Sequence, residues 1–148
     1  MTKIQKIQYT GLTHTKINRD PALQRGEHGV VDMKLSTPGG KSYEFIAAEL
    51  HPTAEQLFAG AWSACWIAAL GIAASLKKVT LPEDTTVNIR VNIGETGPAW
   101  FLGAKFNVRI PGVDQAVAEA LAHSAHQICP YSKAVDGNIE VDMEVTTV

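Results

Sequence analysis

Cysteine and arginine are scarce in this chain of 148 residues: two of the first, four of the second. Net charge is small, −2 at neutral pH, so electrostatics offers no case for nucleic acid or an anionic membrane. Residues 1–8 alternate polar and apolar and lack the apolar core of a signal peptide, so a cytoplasmic protein is expected. In such a protein, two cysteines point to catalytic or redox use rather than a structural staple. There is no phosphate-cradling glycine loop, no nucleophile-elbow serine and no basic stripe interleaved with aromatics. Repeats, linkers and low-complexity segments are missing too, which leaves one domain over residues 1–148.

Charge is also missing from one long internal stretch. Residues 57–76 carry no charged side chain, and Cys65 lies near the middle. Thr53 and Gln56 have the capping-box spacing, with Pro52 ahead of the cap and Lys77-Lys78 at the negative end of the helix dipole. A helix over 52–76 would be roughly 35 Å long. It is apolar on every side and should be surrounded. The stretch is long enough to cross a bilayer. Its Ala- and Gly-rich make-up and the β-rich remainder of the chain favour a buried central helix instead. Gly60 and Gly71 each cost about 1 kcal/mol of helix propensity against Ala. Close approach of another backbone is the usual compensation.

Around this helix the chain reads as strands and one further helix. Residues 3–17 are expected to be extended, and Asn18-Arg19-Asp20-Pro21 to turn. Val31, Met33 and Leu35 give residues 29–36 the alternation of a half-buried strand, residues 37–41 turn, and 43–50 are ambiguous. Val87, Ile89, Val91 and Ile93 alternate in one run; Trp100, Leu102, Ala104, Phe106, Val108 and Ile110 alternate in the next. The turn at 95–98 makes the two a hairpin. Residues 114–128 form a helix with a stripe of Val113, Val117, Leu121, Ala125 and Ile128. Residues 131–137 read as a turn, and Ile139, Val141, Met143 and Val145 as a last strand. The fold class is α+β. One sheet and one amphipathic helix give too little cover for a helix apolar all round, so an interlocked homodimer is expected.

Taken alone, a cysteine in an Ala-rich helix is more often inert filler, because burial raises a thiol pKa unless a cation lies beside it. Arg90 and Arg109 lie opposite the apolar faces of their strands; Arg19 and Arg25 fall in loop sequence and are able to reach a pocket. Glu55, in the first helical turn, taken alone is read first as complementing the helix dipole, with a bidentate contact to an arginine as the other reading. Cys129 stands at a helix end before Pro130, where side chains are redirected. His123, His126 and Cys129 have H-x-x-H-x-x-C spacing, but steps of three drift around a helix and no fourth ligand is evident, so no metal is expected.

Two longer motifs decide between these readings. A-E-Q-L-F-A-G-A-W-S-A-C-W, residues 54–66, resembles the active-site helix of the organic hydroperoxide resistance and osmotically inducible protein C family of thiol peroxidases. H-Q-I-C-P-Y-S-K-A-V-D-G-N-I-E-V, residues 126–141, resembles that family's second cysteine motif. Its C-P-Y-S core points to the organic hydroperoxide resistance branch, as do Arg19-Asp20 and V-D-M-K-L-S-T-P at 31–38. The likeness covers nearly the whole chain in order. It implies an OsmC-like fold, with antiparallel-rich sheets around the central helix, and an intertwined homodimer with active sites at the subunit interface. It also implies that Cys65 is the peroxidatic cysteine, Cys129 the resolving one, and Arg19 and Glu55 the paired arginine and glutamate. The usual reductant is a dithiol on a lipoylated protein; no cofactor is implied. The chain departs at Pro21, where the branch commonly has glycine, at His51-Pro52-Thr53-Ala54, where Asn-Pro is usual, and at Trp62 and Trp66, where Tyr and Phe are common.

The function so implied is reduction of organic hydroperoxides to alcohols through a Cys65 sulfenic acid and a Cys65–Cys129 disulfide. An apolar pocket using Phe58, Trp62, Trp100 or Phe101 would favour bulky hydroperoxides over hydrogen peroxide. The alternative is a non-enzymatic redox-responsive or small-molecule-binding dimer of the same fold. The expected dimer has a direct test: sedimentation at nanomolar concentration should show no monomer, and a monomer there would count against it.

Overall fold

The computed structural model describes residues 3–16 and 53–148. The turn expected at 18–21, the strand at 29–36 and the segment at 43–50 lie outside those residues. Within them the order is β1 (Lys6–Lys16), α1 (Ala54–Leu76), β2 (Thr86–Thr96), β3 (Ala99–Arg109), α2 (Gln115–Ile128), α3 (Pro130–Val135) and β4 (Glu140–Thr146). The strands form one sheet in the order β1-β2-β3-β4. β1 and β2 are antiparallel, as are β2 and β3; β3 and β4 are parallel. The parallel pair follows from the connection, since α2 and α3 carry the chain back across the sheet before β4. This is the expected α+β architecture with a mixed sheet.

The expected hairpin closes with Thr96 opposite Ala99, leaving Gly97 and Pro98 as a two-residue loop. Gly97 has φ +57°. A type II′ hairpin turn needs positive φ at its first central residue, which glycine supplies. The inward residues pair across the strands: Val87 with Val108, Ile89 with Phe106, Val91 with Ala104. Six of these side chains make one buried layer with α1 and α2 above it.

α1 begins where the capping box places it. Thr53 Oγ1 accepts from Gln56 N at 3.1 Å, and Gln56 Oε1 accepts from Thr53 N at 3.0 Å. Its other end closes as a Schellman motif: Lys78 N donates to Ser75 O and Val79 N to Ala74 O. Lys78 takes the left-handed position, φ 56°, that glycine usually fills. By length and composition α1 would suffice to cross a membrane; here it packs against β1, β2 and α2. That cover is one-sided. Ala59, Trp62, Ser63, Trp66, Leu70 and Ala73 are buried, whereas Ala61, Ala64, Ala68 and Gly71 are exposed, and Ile72 and Leu76 keep 52% and 75% of their surface. The described residues therefore do not surround the helix.

Two local readings change. Residues 130–135 form a short helix rather than a turn, with Pro130 at its start, where a missing N–H costs nothing. The buried face of α2 is Ala118, Leu121, Ala122 and Ala125, while Val117 is exposed. The stripe is rotated toward its smallest residues, because α2 packs against α1 and alanines permit close approach.

β1 approaches α1 as closely. A Cβ placed on Gly11 would lie 2.6 Å from Gln56 N and from the Glu55 carbonyl carbon, both backbone atoms that cannot swing aside. Thr13 Oγ1 and Ser63 Oγ are hydrogen-bonded at 3.0 Å on the same seam, and Ser63 Oγ also donates to Ala59 O. Gly11→Ala is expected to lower stability by about 1–3 kcal/mol, as overpacking typically does. Urea denaturation measures this, and an unchanged midpoint would show that the seam is not tight.

Candidate redox site

Glu55, Phe58, Trp62 and Cys65 follow one another along α1 at intervals of three, four and three, which keeps them on one side of a helix. Glu55 is buried in the first turn, and among the described residues its Oε2 has no hydrogen-bond partner. A buried carboxylate oxygen left in that state is costly, so this end of the stripe has an unmet need for a donor. Phe58 packs edge-on against Trp62 with ring centroids 5.5 Å apart, and Trp62 against Phe106 at 5.0 Å.

The two cysteines meet although 64 residues separate them. Both are reduced, and the Cys129 thiol donates to the Cys65 sulfur at 3.2 Å. Cys129 is the C-cap of α2 and the N-cap of α3, in extended geometry with φ −60° and ψ 120°. The following proline enforces that geometry. Its backbone is held on both sides, N donating to Ala125 O and O accepting from Lys133 N. The sulfurs differ in access: Cys129 has no exposed surface, and Cys65 is half-buried.

Trp62 is wholly buried, and its indole Nε1 donates to Ser132 Oγ at 3.0 Å. Ser132 stands in α3, where the sequence pattern predicts a turn. The available signal was the spacing: Ser132 follows Cys129 by three, as Cys65 follows Trp62 by three. Trp100 and Phe101 lie elsewhere, at the hairpin end of β3. With Ile93, Leu102, Asn138 and Ile139 they line a depression of about 220 Å³ that includes neither cysteine. Arg19 and Arg25 lie outside the described residues. Arg90 is exposed, and Arg109 is engaged with Asp84 at 3.0 Å and Val148 O at 2.7 Å.

His123 is exposed and hydrogen-bonded to Gln127; His126, one turn before Cys129, abuts Phe106. Among the described residues no three His, Cys, Asp or Glu side chains are arranged to hold a metal. The Nδ1 of His126 is buried without a partner.

The fold is of the α+β class, and it brings two reduced thiols from separate helices into contact. The chain belongs to the OsmC-like protein family, whose model matches residues 47–144. It is 32% identical to the organic hydroperoxide resistance protein of Xanthomonas axonopodis pv. citri, over 97% of this chain and 98% of that one. It is 34% identical to organic hydroperoxide resistance protein OhrA of Bacillus subtilis, over 78% of this chain and 81% of the relative. The crystal structure of an organic hydroperoxide resistance protein from Elizabethkingia anophelis, with thiocyanate bound, superposes with a TM-score of 0.69. That match has 31% identity and covers 98% of this chain and 100% of the other.

Burial lowers the His126 pKa below the ordinary 6.5; His123 lowers it further and Asp136 opposes both. The unfolded chain then binds a proton that the folded one refuses. The stability His126 contributes is present above about pH 6.5 and is lost as pH falls toward the folded value. His126→Gln is expected to flatten the fall in urea midpoint between pH 7.5 and 5.5; an equally steep fall would remove His126 as its source.

Proposed function

We propose that this protein is a thiol peroxidase that reduces organic hydroperoxides to alcohols. The observation that carries the proposal is the 3.2 Å contact between a half-buried and a fully buried thiol on separate helices. Its membership of the OsmC-like family, with relatives named for organic hydroperoxide resistance, supports the substrate class.

Cys65 is the sulfur with access to solvent and takes the peroxidatic role. Its thiolate attacks the distal oxygen of the hydroperoxide. An S–O bond forms, the O–O bond breaks, and the alkoxide takes a proton to leave as an alcohol. Cys129 then attacks the Cys65 sulfenic acid; the S–S bond forms, the S–O bond breaks and water leaves. A disulfide bond is about 2.05 Å long, so the sulfurs need to close only about 1 Å further. A dithiol, such as the dihydrolipoyl group of a lipoylated protein, reduces the disulfide by exchange and is itself oxidised.

Arg19 stabilises the Cys65 thiolate, and Glu55 fixes the guanidinium. The unpartnered, buried Glu55 Oε2 supports that pairing, because a planar guanidinium satisfies such an oxygen. Phe58 lines the substrate side with Trp62 behind it. In a homodimer formed over the exposed small-residue side of α1, Trp100 and Phe101 of a second copy complete the apolar wall.

A steady-state assay with dihydrolipoamide and cumene hydroperoxide tests the reading. Cys65→Ser should abolish turnover, and Cys129→Ser should allow one oxidation per site without recycling. Arg19→Ala should raise the pH at which Cys65 is alkylated. Full activity in Cys65→Ser would sink the assignment. No turnover by the native protein would leave a redox-responsive dimer as the reading, and equal efficiency on hydrogen peroxide would remove the apolar pocket.

A further inference from the structure

Cys129 must be beside Cys65 when the sulfenic acid forms, because an unresolved sulfenic acid is oxidised by a second peroxide to the irreversible sulfinic acid. What holds it there is visible away from the sulfurs. Trp62 precedes Cys65 by three residues on α1, and Ser132 follows Cys129 by three on α3. The Trp62–Ser132 hydrogen bond at 3.0 Å therefore runs beside the 3.2 Å sulfur contact, one helical turn away. We propose that this hydrogen bond is a latch that positions Cys129 for resolution, with Trp62 and Ser132 as positioning residues. The proposal rests on the peroxidase reading above.

Three observations give the latch its stiffness. The indole is wholly buried and clamped edge-on by Phe58 and Phe106, so the donor direction is fixed. Ser132 is 2% exposed, so water does not compete for its hydroxyl. Cys129 and Ser132 belong to one short backbone unit, since Lys133 N donates to Cys129 O across the same turn. Motion of Ser132 away from Trp62 therefore carries Cys129 away from Cys65. Neither latch residue gives or takes an atom: the resolving step forms the S–S bond, breaks the S–O bond and releases water as before. The latch sets how much of the time the Cys129 sulfur stands within reach, and so the partition between disulfide and sulfinic acid.

The test follows wild type, Ser132→Ala, Trp62→Phe and the double variant after a peroxide pulse. Disulfide, sulfinic acid and their rates are read by mass spectrometry, and stability by urea midpoint. Each single variant is expected to form disulfide about tenfold more slowly, the order of one hydrogen bond, and to accumulate more sulfinic acid. In the double variant no buried donor is stranded, so the urea midpoint should recover toward wild type while disulfide formation stays slow. Resolution that recovers together with stability would overturn the latch, showing that only packing mattered. Unaltered disulfide formation in both single variants, with wild type forming the disulfide normally, would also overturn it and leave the peroxidase reading intact. A wild-type protein that forms no Cys65–Cys129 disulfide would overturn both.

Discussion

Close approach of α1 to its neighbours is the constraint on which the rest of the structure depends. Helices ordinarily pack with axes 8–10 Å apart, according to the side chains between them. The two helices pack together, and their buried residues include small ones: Ala69 and Ala73 on α1, Ala118, Ala122 and Ala125 on α2. A large residue in any of these places would push α2 outward and take Cys129, its C-cap, with it. On the opposite flank Gly11 lets β1 lie directly on the first turn of α1, where Glu55 is buried. Gly60 and Gly71 do not share this pattern among the described residues: a Cβ on Gly60 would make only an ordinary 3.8 Å contact with Thr13 Cγ2, and one on Gly71 would meet nothing within 4 Å.

The exposed half of α1 continues that logic past the single chain. Ala61, Ala64, Ala68 and Gly71 are as small as the residues that face α2, yet nothing among the described residues covers them. An apolar stripe of alanines ending in Ile72 and Leu76 is poorly suited to water and well suited to a second backbone. The buried carboxylate at one end of the helix points the same way. Among the described residues no cation is paired with Glu55.

Much of this was legible in the sequence, and for local reasons. The capping box at Thr53 and Gln56, the charge-free run, and the alternation in β2 and β3 are signals carried by neighbouring residues, and each element lies where they put it. What was not legible depends on three-dimensional context. Lys78 ends α1 in a left-handed position that sequence would reserve for glycine. The α2 stripe of Val113, Val117, Leu121, Ala125 and Ile128 holds in part: Leu121 and Ala125 are fully buried and Val113 and Ile128 pack against the core, whereas Val117 is exposed and Ala118 and Ala122 are buried beside the stripe. The segment after Cys129 looked like a turn because proline limits α2; the same proline starts α3. The site's two cysteines and Glu55 were named from motifs. Nothing in the motif singles out Ser132, since a serine's value here lies wholly in the indole 70 residues earlier.

The two buried tryptophans of α1 separate packing from positioning. Trp62 and Trp66 are both wholly buried, and both meet Phe106 edge-on. At Trp66 the indole N–H has no partner among the described residues. Leaving it so costs about 1–3 kcal/mol. Burying an indole of 150–250 Å² is worth about 4–6 kcal/mol. Area outweighs the orphaned donor, and Trp66 is explained by volume alone. The same volume would justify a plain hydrocarbon ring at position 62. There, however, the donor meets a serine that is itself buried, on the unit that carries Cys129. One tryptophan tolerates its polar atom and the other uses it, and the one that uses it lies a single helical turn from the paired sulfurs.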